Sequence, residues 1–306
     1  MSAPAKTATK IMSKLPHAKI TPHRSSSRGH SDHGWLNSYH TFSFAHYTAP
    51  THQQFGSLRV LNEDRVAPLT GFPTHPHRDF EIFSYILSGE LTHRDSMVAK
   101  SAKVASEGSN HDSSKNKKDD LYRMSRGDVQ FTTGGTGIAH SERNEHADAE
   151  VHFLQIWAVP WTKGLPPTYH TATFPDEAKR NKFVTIISPL KTGPGATAQE
   201  ERDAVPVVHG TIPIHADFVM GAGIVARGGA AGWRVGGGEG VVEEVVGRRV
   251  FLHLPMRRVG ARVRVDGETV LEEGHGAFVE GVDVGDEVWV ESIGEGEAEV
   301  VVLDSS

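Results

Sequence analysis

Cysteine does not occur in this 306-residue chain. Its absence excludes disulfides, thiolate metal ligands and a cysteine nucleophile, and leaves cytoplasm or nucleus as the default compartment. A strong charge of either sign is missing too. The formal net charge is −6, too mild to argue for nucleic-acid or membrane partners. Acidic residues are absent from the first 31 positions, where Lys6, Lys10, Lys14, Lys19, Arg24 and Arg28 stand. An acid-poor start carrying Ser and Thr has the composition of an organelle transit peptide; the simpler reading, adopted here, is a flexible basic arm over residues 1–20. The same stretch has no apolar run long enough for a signal peptide or a membrane span. Helical periodicity is scarce throughout.

What the chain does contain is turn punctuation. Its 32 glycines and 16 prolines separate short runs rich in Val, Ile, Phe and Thr, a pattern that predicts an all-β fold. The length accommodates two domains of ordinary size. Residues 55–61, closed by a turn at 62–64, and residues 80–87 read as strands. A Lys/Ser/Asn/Asp-rich stretch at 98–120 has scarcely a large apolar residue and reads as a mobile surface insertion between two strands. Residues 164–167 mark the expected boundary, giving domains at 21–163 and 168–306. Further strands are expected at 183–187, 205–208, 250–254 and 298–303. From Gly237 onward 16 acidic residues stand against 6 basic ones, which leaves the rest of the chain at +4. Arg248-Arg249 and Arg257-Arg258, flanked by acidic residues, are expected on a solvated sheet face.

Two short pairs carry the chemistry: His75-Pro76-His77 and, 63 positions on, His140-Ser141-Glu142. Alternate side chains of a strand share a face, so each pair can aim both of its groups into one interior. Two such strands side by side would gather three imidazoles and a carboxylate around one point. That set suits a divalent first-row metal, with Fe, Ni, Cu and Zn all open. Among 19 histidines an isolated His-x-His pair is expected by chance. Its combination with Glu81, Gly89 and the turn before His140 is not. Glu81 shares strand parity with His75 and His77 and is the competing carboxylate. The second half has no comparable pair, so it is expected to be metal-free. Gly134 to Gly137 lacks the Lys-Ser/Thr and the helix of a phosphate loop and reads as a strand turn.

Gly71, His75-x-His77, Glu81 and Gly89 follow the first motif of the cupin superfamily, and Gly127 with His140 follows the spacing of the second, although Arg126 stands where a proline is expected. Within that superfamily the chain resembles the pirin family. The resemblance is carried by Arg28-Gly29-His30, His33-Gly34-Trp35-Leu36, His40-Thr41-Phe42-Ser43-Phe44-Ala45, His75-Pro76-His77-Arg78, His93-Arg94-Asp95-Ser96 and the run from Gly135 to Glu142. It weakens in the second half.

The resemblance implies a bicupin, two cupin-type jelly-roll β-barrels, with a metal held by His75, His77, His140 and Glu142. The implied metal is Fe(II), other divalent first-row ions being compatible. Three histidines and a glutamate leave two octahedral positions open, and Glu81 is left to orient an imidazole N–H. The implied activity is of the quercetin 2,3-dioxygenase type, opening a flavonol ring with O₂, with Glu142 as the catalytic proton acceptor. Pirins that act in the nucleus imply an alternative, an iron-dependent redox-sensing co-regulator that contacts a transcription factor. A bicupin enzyme of another class, such as an isomerase, is a third. The C-terminal segment that packs back on the core in pirins is expected to be shortened here, with weaker packing between the halves.

Overall fold

The computed structural model describes residues 15–96, 122–237 and 247–306. The expected insertion at 98–120 lies outside the described residues, as do positions 1–14 of the expected arm. The chain opens with β1 (Lys19–His23), β2 (Gly29–Asp32), β3 (Leu36–His40), β4 (Leu58–Val66), β5 (Gly71–His77) and β6 (Glu81–Ser88). It continues with β7 (Leu91–Asp95), β8 (Tyr122–Met124), β9 (Asp128–Thr133), β10 (Ile138–Arg143), β11 (Val151–Ala158) and β12 (Thr168–Thr173). The second half contains β13 (Phe183–Pro189), β14 (Ile212–Ile214), β15 (Phe218–Val225), β16 (Ala230–Arg234) and β17 (Arg248–His253). It ends with β18 (Arg262–Val265), β19 (Thr269–Glu272), β20 (Gly276–Val282), β21 (Glu287–Ser292) and β22 (Ala298–Ser305). Short helices α1 (Asp176–Lys179) and α2 (Ala198–Asp203) interrupt the strands. Among the described residues no helix is long and apolar enough to cross a membrane.

The strands form two sandwich-like barrels, as the resemblance implies. One pairs the sheet β12-β9-β6-β11-β4-β3-β2 with β5-β10-β7-β8; the other pairs β1-β20-β17-β22-β15-β13-β14 with β16-β21-β18-β19. Period-two alternation decides what each face does. On β11, Phe153 joins Val66, Ile86, Leu91 and Met124 inside the first barrel. Its neighbours Leu154 and Ile156 point the other way, into a core that also holds Phe83, Phe131, Phe218, Phe251 and Leu303. The two large sheets therefore pack back to back through one continuous apolar layer, and the expected weakness between the halves is not found. The second barrel is filled differently. Val250, Leu252, Val263, Val265, Val288 and Val290 meet in its interior.

Sheet membership corrects the expected domain limits. β12 follows the expected boundary, yet it pairs with β9 of the first barrel, Thr168 opposite Thr133 through Thr173 opposite Asp128. β1 does the reverse and pairs with β20 of the second barrel. Residues 15–20 are not a free arm: Leu15, Ala18 and Ile20 pack on the second barrel's core, and the Leu15 N–H donates to Asp266 Oδ2 at 3.0 Å. Those apolar residues are too widely spaced among lysines to stand out in sequence.

Polar residues that looked exposed are also buried. Asn62, Glu63 and Asp64 lie within β4, 1 to 2% exposed, where a turn was expected. Glu63 accepts from Arg28 Nη1 (3.0 Å), His152 Nε2 (2.9 Å), His253 Nε2 (3.0 Å) and the Met256 N–H (2.6 Å), partners from both barrels. Arg248 is not on a solvated face; its side chain reaches Asp304 at 2.6 Å and Asp217 at 3.0 Å. Arg257 turns to Glu299 at 3.2 Å. Residues 205–208 form no strand beyond a single bridge between Leu190 and Pro206.

Candidate metal centre

β5 is the edge of its sheet, where the missing N–H of Pro73 and Pro76 is tolerated. Along it Pro76 is exposed and the flanking His75 and His77 are half-buried, turned to the other face. β10 lies alongside with His140 opposite His75. The turn that launches β10 depends on Gly135, whose φ is +41° and whose missing Cβ would stand 2.0 Å from the Leu165 carbonyl oxygen. A side chain there would displace the strand that carries His140.

The ring nitrogens of His75, His77 and His140 converge within 4.8 Å of one another. The His75 Nδ1–H donates to the Pro73 carbonyl at 2.8 Å, which leaves its Nε2 lone pair free. His75 Nε2 faces His140 Nε2 at 3.1 Å. Two nitrogens each about 2.0–2.1 Å from one ion, at a right angle, would lie about 3 Å apart. His77 Nε2 is buried without a hydrogen-bond partner, the condition of a ligand atom awaiting a cation. Burial lowers the His77 pKa to about 4 and lowers that of His140 as well, with the neighbouring imidazoles adding to both shifts. The rings are thus neutral, the form that binds metal. These three residues fit a divalent first-row cation.

Glu142 is not part of the close set. β10 slips in register against β5 between His140 and Glu142, and both carboxylate oxygens are engaged elsewhere. Ser84 Oγ donates to Oε1 at 3.0 Å and Gln155 Nε2 to Oε2 at 3.2 Å. Burial raises the Glu142 pKa, opposed by those two bonds and by the nearby His75 ring. Beside it Asp64 is pushed up to about 7 by burial, with the Ser38 hydroxyl bond opposing and the Glu142 charge adding to the shift.

Glu81 corrects the expectation drawn from strand parity. Asp79, at φ +58°, turns the chain between β5 and β6 and ends the shared alternation. Glu81 then points into the layer between the barrels, where Thr133 Oγ1 donates to it at 3.0 Å and His215 Nδ1 lies 3.4 Å away. The imidazole it orients is His215, outside the metal set.

His93, one of the residues that carry the family resemblance, is fully buried. Its Nε2 is 2.9 Å from His140 Nδ1, and its Nδ1 is 3.4 Å from the Tyr169 hydroxyl. Asp95 Oδ2 is 3.9 Å from the same His140 Nδ1, so that His93, Asp95 and His140 form a second close set. Tyr169, Ser84, Gln155 and Trp157 were not anticipated as site residues. The Gln155-x-Trp157 alternation on β11 was the available signal for two of them. The Trp157 ring stands edge-on to His77 at 5.0 Å between centroids. Its other side walls a cavity of about 470 Å³ lined also by Phe44, Tyr47, Arg59, Val60 and Phe80.

The sequence profile of the Pirin family matches residues 21–110 and 107–158. A relative from Zymomonas mobilis is 38% identical over 195 residues, 63% of this chain and 67% of its own length. The quercetin 2,3-dioxygenase of Escherichia coli K12 is 36% identical over 170 residues, 56% of this chain and 64% of its own. The match thus spans 60 to 67% of the first curated relatives. The crystal structure of YhhW from Escherichia coli superposes with a TM-score of 0.69 at 26% identity, over 94% of this chain and 98% of YhhW. The bacterial pirin YhhW in complex with nickel(II) gives 0.67 at 26% identity, over 94% and 99%.

Proposed function

This chain belongs to the pirin family of two-barrel cupins, and from that membership we propose that it is a metal-dependent dioxygenase of the quercetin 2,3-dioxygenase type. One observation carries the reading: the convergent His75, His77 and His140 adjoin an aromatic-walled cavity through the shared contact of Trp157. The cavity, about 470 Å³, is in the range of small-molecule sites.

On this reading the three histidines hold the cation, Glu142 completes the set, and iron(II) is the native ion. When bound, the metal supplies Lewis acidity and an electron path between a flavonol and O₂. The chain's own residues do the rest. Phe44, Tyr47, Phe80 and Trp157 offer faces and edges to a planar polyphenol. Arg59, fixed at the wall by donating to the Ser43 carbonyl at 2.8 Å, sets a positive charge beside the flavonol anion. Glu142, steadied by Ser84 and Gln155, accepts the 3-hydroxyl proton on a carboxylate oxygen. Its burial raises its proton affinity, which suits a general base.

The test is elemental analysis of the purified chain and of His140→Ala, then anaerobic Fe(II) loading and addition of quercetin with O₂. The expected result is one metal per chain, lost in the variant, with O₂-dependent loss of flavonol absorbance. Metal without turnover sinks the dioxygenase reading and favours the redox co-regulator that contacts a transcription factor. No metal removes both.

A further inference from the structure

We propose that Gly29 is a positioning residue which, acting through Tyr47, sets the width of the cavity beside Trp157 and so decides which aromatic anions it admits. This rests on the reading of that cavity as the substrate site. Gly29 stands in the run Arg28-Gly29-His30, along which alternate side chains share a face. Arg28 turns to Glu63 in the layer between the barrels, and His30 stacks on Tyr39 at 4.4 Å between centroids. Gly29 faces the other way, opposite His40 on β3. It is buried on β2, a border strand of its sheet. Its φ is not positive, so the backbone there would accept a side chain. The space would not. A Cβ at Gly29 would stand 2.4, 2.5 and 2.6 Å from Cγ, Cδ1 and Cδ2 of Tyr47. Glycine is required here by the ring that lies over it.

The surroundings leave that ring one way to yield. Behind it is β2. Beside it stands the His40 ring, 24° from parallel at 6.0 Å between centroids, and held at its two nitrogens by Ser31 Oγ (3.0 Å) and Asn62 Oδ1 (2.9 Å). Phe44 and Tyr47 close a two-residue turn through reciprocal N–H to carbonyl bonds of 3.0 and 2.9 Å, with Ala45 in the left-handed region at φ +49°. The base of the turn is tied down too. The Ser43 N–H donates to the His52 carbonyl at 3.0 Å, and Arg59 Nη1 donates to the Ser43 carbonyl at 2.8 Å. What remains open is the cavity, which Tyr47 lines and Gly29 and His40 do not. Carbon atoms in contact settle about 3.5–4.0 Å apart, so a methyl group at position 29 drives the ring about 1 Å into that space. Arg59 lines the same space, and the lost width falls on a flat anion held beside its guanidinium.

The test is a double-substitution cycle on the full chain. It is read by the binding of anilinonaphthalene sulfonate, a fluorescent aromatic anion, and by quercetin turnover of the Fe(II)-loaded protein. The room of one methylene in an apolar pocket is worth about 10–200-fold in discrimination. Gly29→Ala should therefore raise the dye Kd and the KM for quercetin at least about tenfold, with kcat and metal content unchanged. In a Tyr47→Ala background the same substitution should change both by less than about twofold, because the ring it displaces is gone and the two sites no longer couple. An equal loss in both backgrounds would mean that alanine merely weakens the strand, and it overturns the proposal. So does a Gly29→Ala chain that binds dye and quercetin as wild type does. Should Gly29→Ala fail to fold, Gly29→Ala with Tyr47→Ala is expected to fold; an unfolded double variant overturns the proposal as well. Full coupling in dye binding without any quercetin turnover leaves the proposal standing and sinks the dioxygenase reading alone.

Discussion

Replacing Glu63 with alanine should cost more stability than any other single change on β4, because four donors converge on one buried carboxylate. Arg28 Nη1, His152 Nε2, His253 Nε2 and the Met256 N–H all lie 2.6 to 3.0 Å from its oxygens. The Arg28 and Glu63 side chains are 0 and 1% exposed. Removing one partner of a buried ion pair costs about 3–5 kcal/mol. The stranded Met256 N–H adds about 1–3 kcal/mol. The two imidazoles can change tautomer, so they add little. Arg28 keeps two carbonyl acceptors, Tyr39 at 2.8 Å and Gly274 at 3.3 Å, which argues for a total on the order of 5 kcal/mol. At about 2–3 °C per kcal/mol for a chain of this size, the melting temperature should fall by about 10–15 °C.

The measurement is thermal unfolding at pH 7 by circular dichroism, for wild type, Glu63→Ala and Glu63→Gln, with metal content read on the same samples. Burial alone would raise the Glu63 pKa, but its bonds to His152 and His253 and the charge of Arg28 outweigh burial and hold it well below the ordinary carboxylate value. A depressed folded pKa means stability that is full above the unfolded pKa and lost as pH falls through the folded one. The gap between wild type and Glu63→Gln should therefore narrow in acid. A Glu63→Ala melting temperature within 3 °C of wild type would refute the argument that this cluster clamps the barrels.

Asp64 should act in the opposite sense. Its folded pKa of about 7 lies above its unfolded value, so the folded state holds the proton longer and stability falls as pH rises from about 4 to about 7. Asp64→Asn should remove that slope and raise stability at pH 8 by about 2–4 kcal/mol, read by urea unfolding at pH 4, 6 and 8. An unchanged slope would show that Asp64 is not the group responsible. Gly135→Ala, with its Cβ forced against the Leu165 carbonyl, should lower thermal stability and weaken cobalt binding together; a loss of stability with unchanged cobalt affinity would separate that turn from the site. Trp157→Ala should raise the KM for quercetin by about three- to tenfold, in keeping with the about 0.5–1.5 kcal/mol of a lost aromatic contact, and leave metal content near one per chain. An unchanged KM would place the substrate elsewhere.

The convergence of His75 and His77 on one face was legible because alternation along one strand is a local property. His75 and His77 need only Pro76 between them on an edge strand. Glu81 was misread for the same reason: parity holds only while the strand is unbroken, and Asp79 breaks it. Glu63 and Asp64 looked like turn residues, since nothing nearby in sequence satisfies them. The partners of Glu63 lie 35, 89, 190 and 193 positions away. Tyr169 was hidden by the boundary proline segment that precedes it, and its place beside His93, 76 positions earlier, follows from sheet topology alone.

That topology governs how the protein can be taken apart. β1 and β12 are the outermost strands of their sheets, and each is covalently attached to the opposite half. A chain cut at Lys163 would yield two fragments that each hold a border strand belonging to the other. Neither fragment alone closes its own sheet, yet together they possess every strand needed. Such a nicked molecule should survive as a single tight particle, and the two pieces should find each other when made separately. The barrel that holds the histidine cluster is thus not a detachable module. A lineage that dispensed with the second barrel would have to replace β12 and re-cover the apolar back of the first large sheet at once, which accounts physically for a barrel without such a pair remaining tied to one that has two.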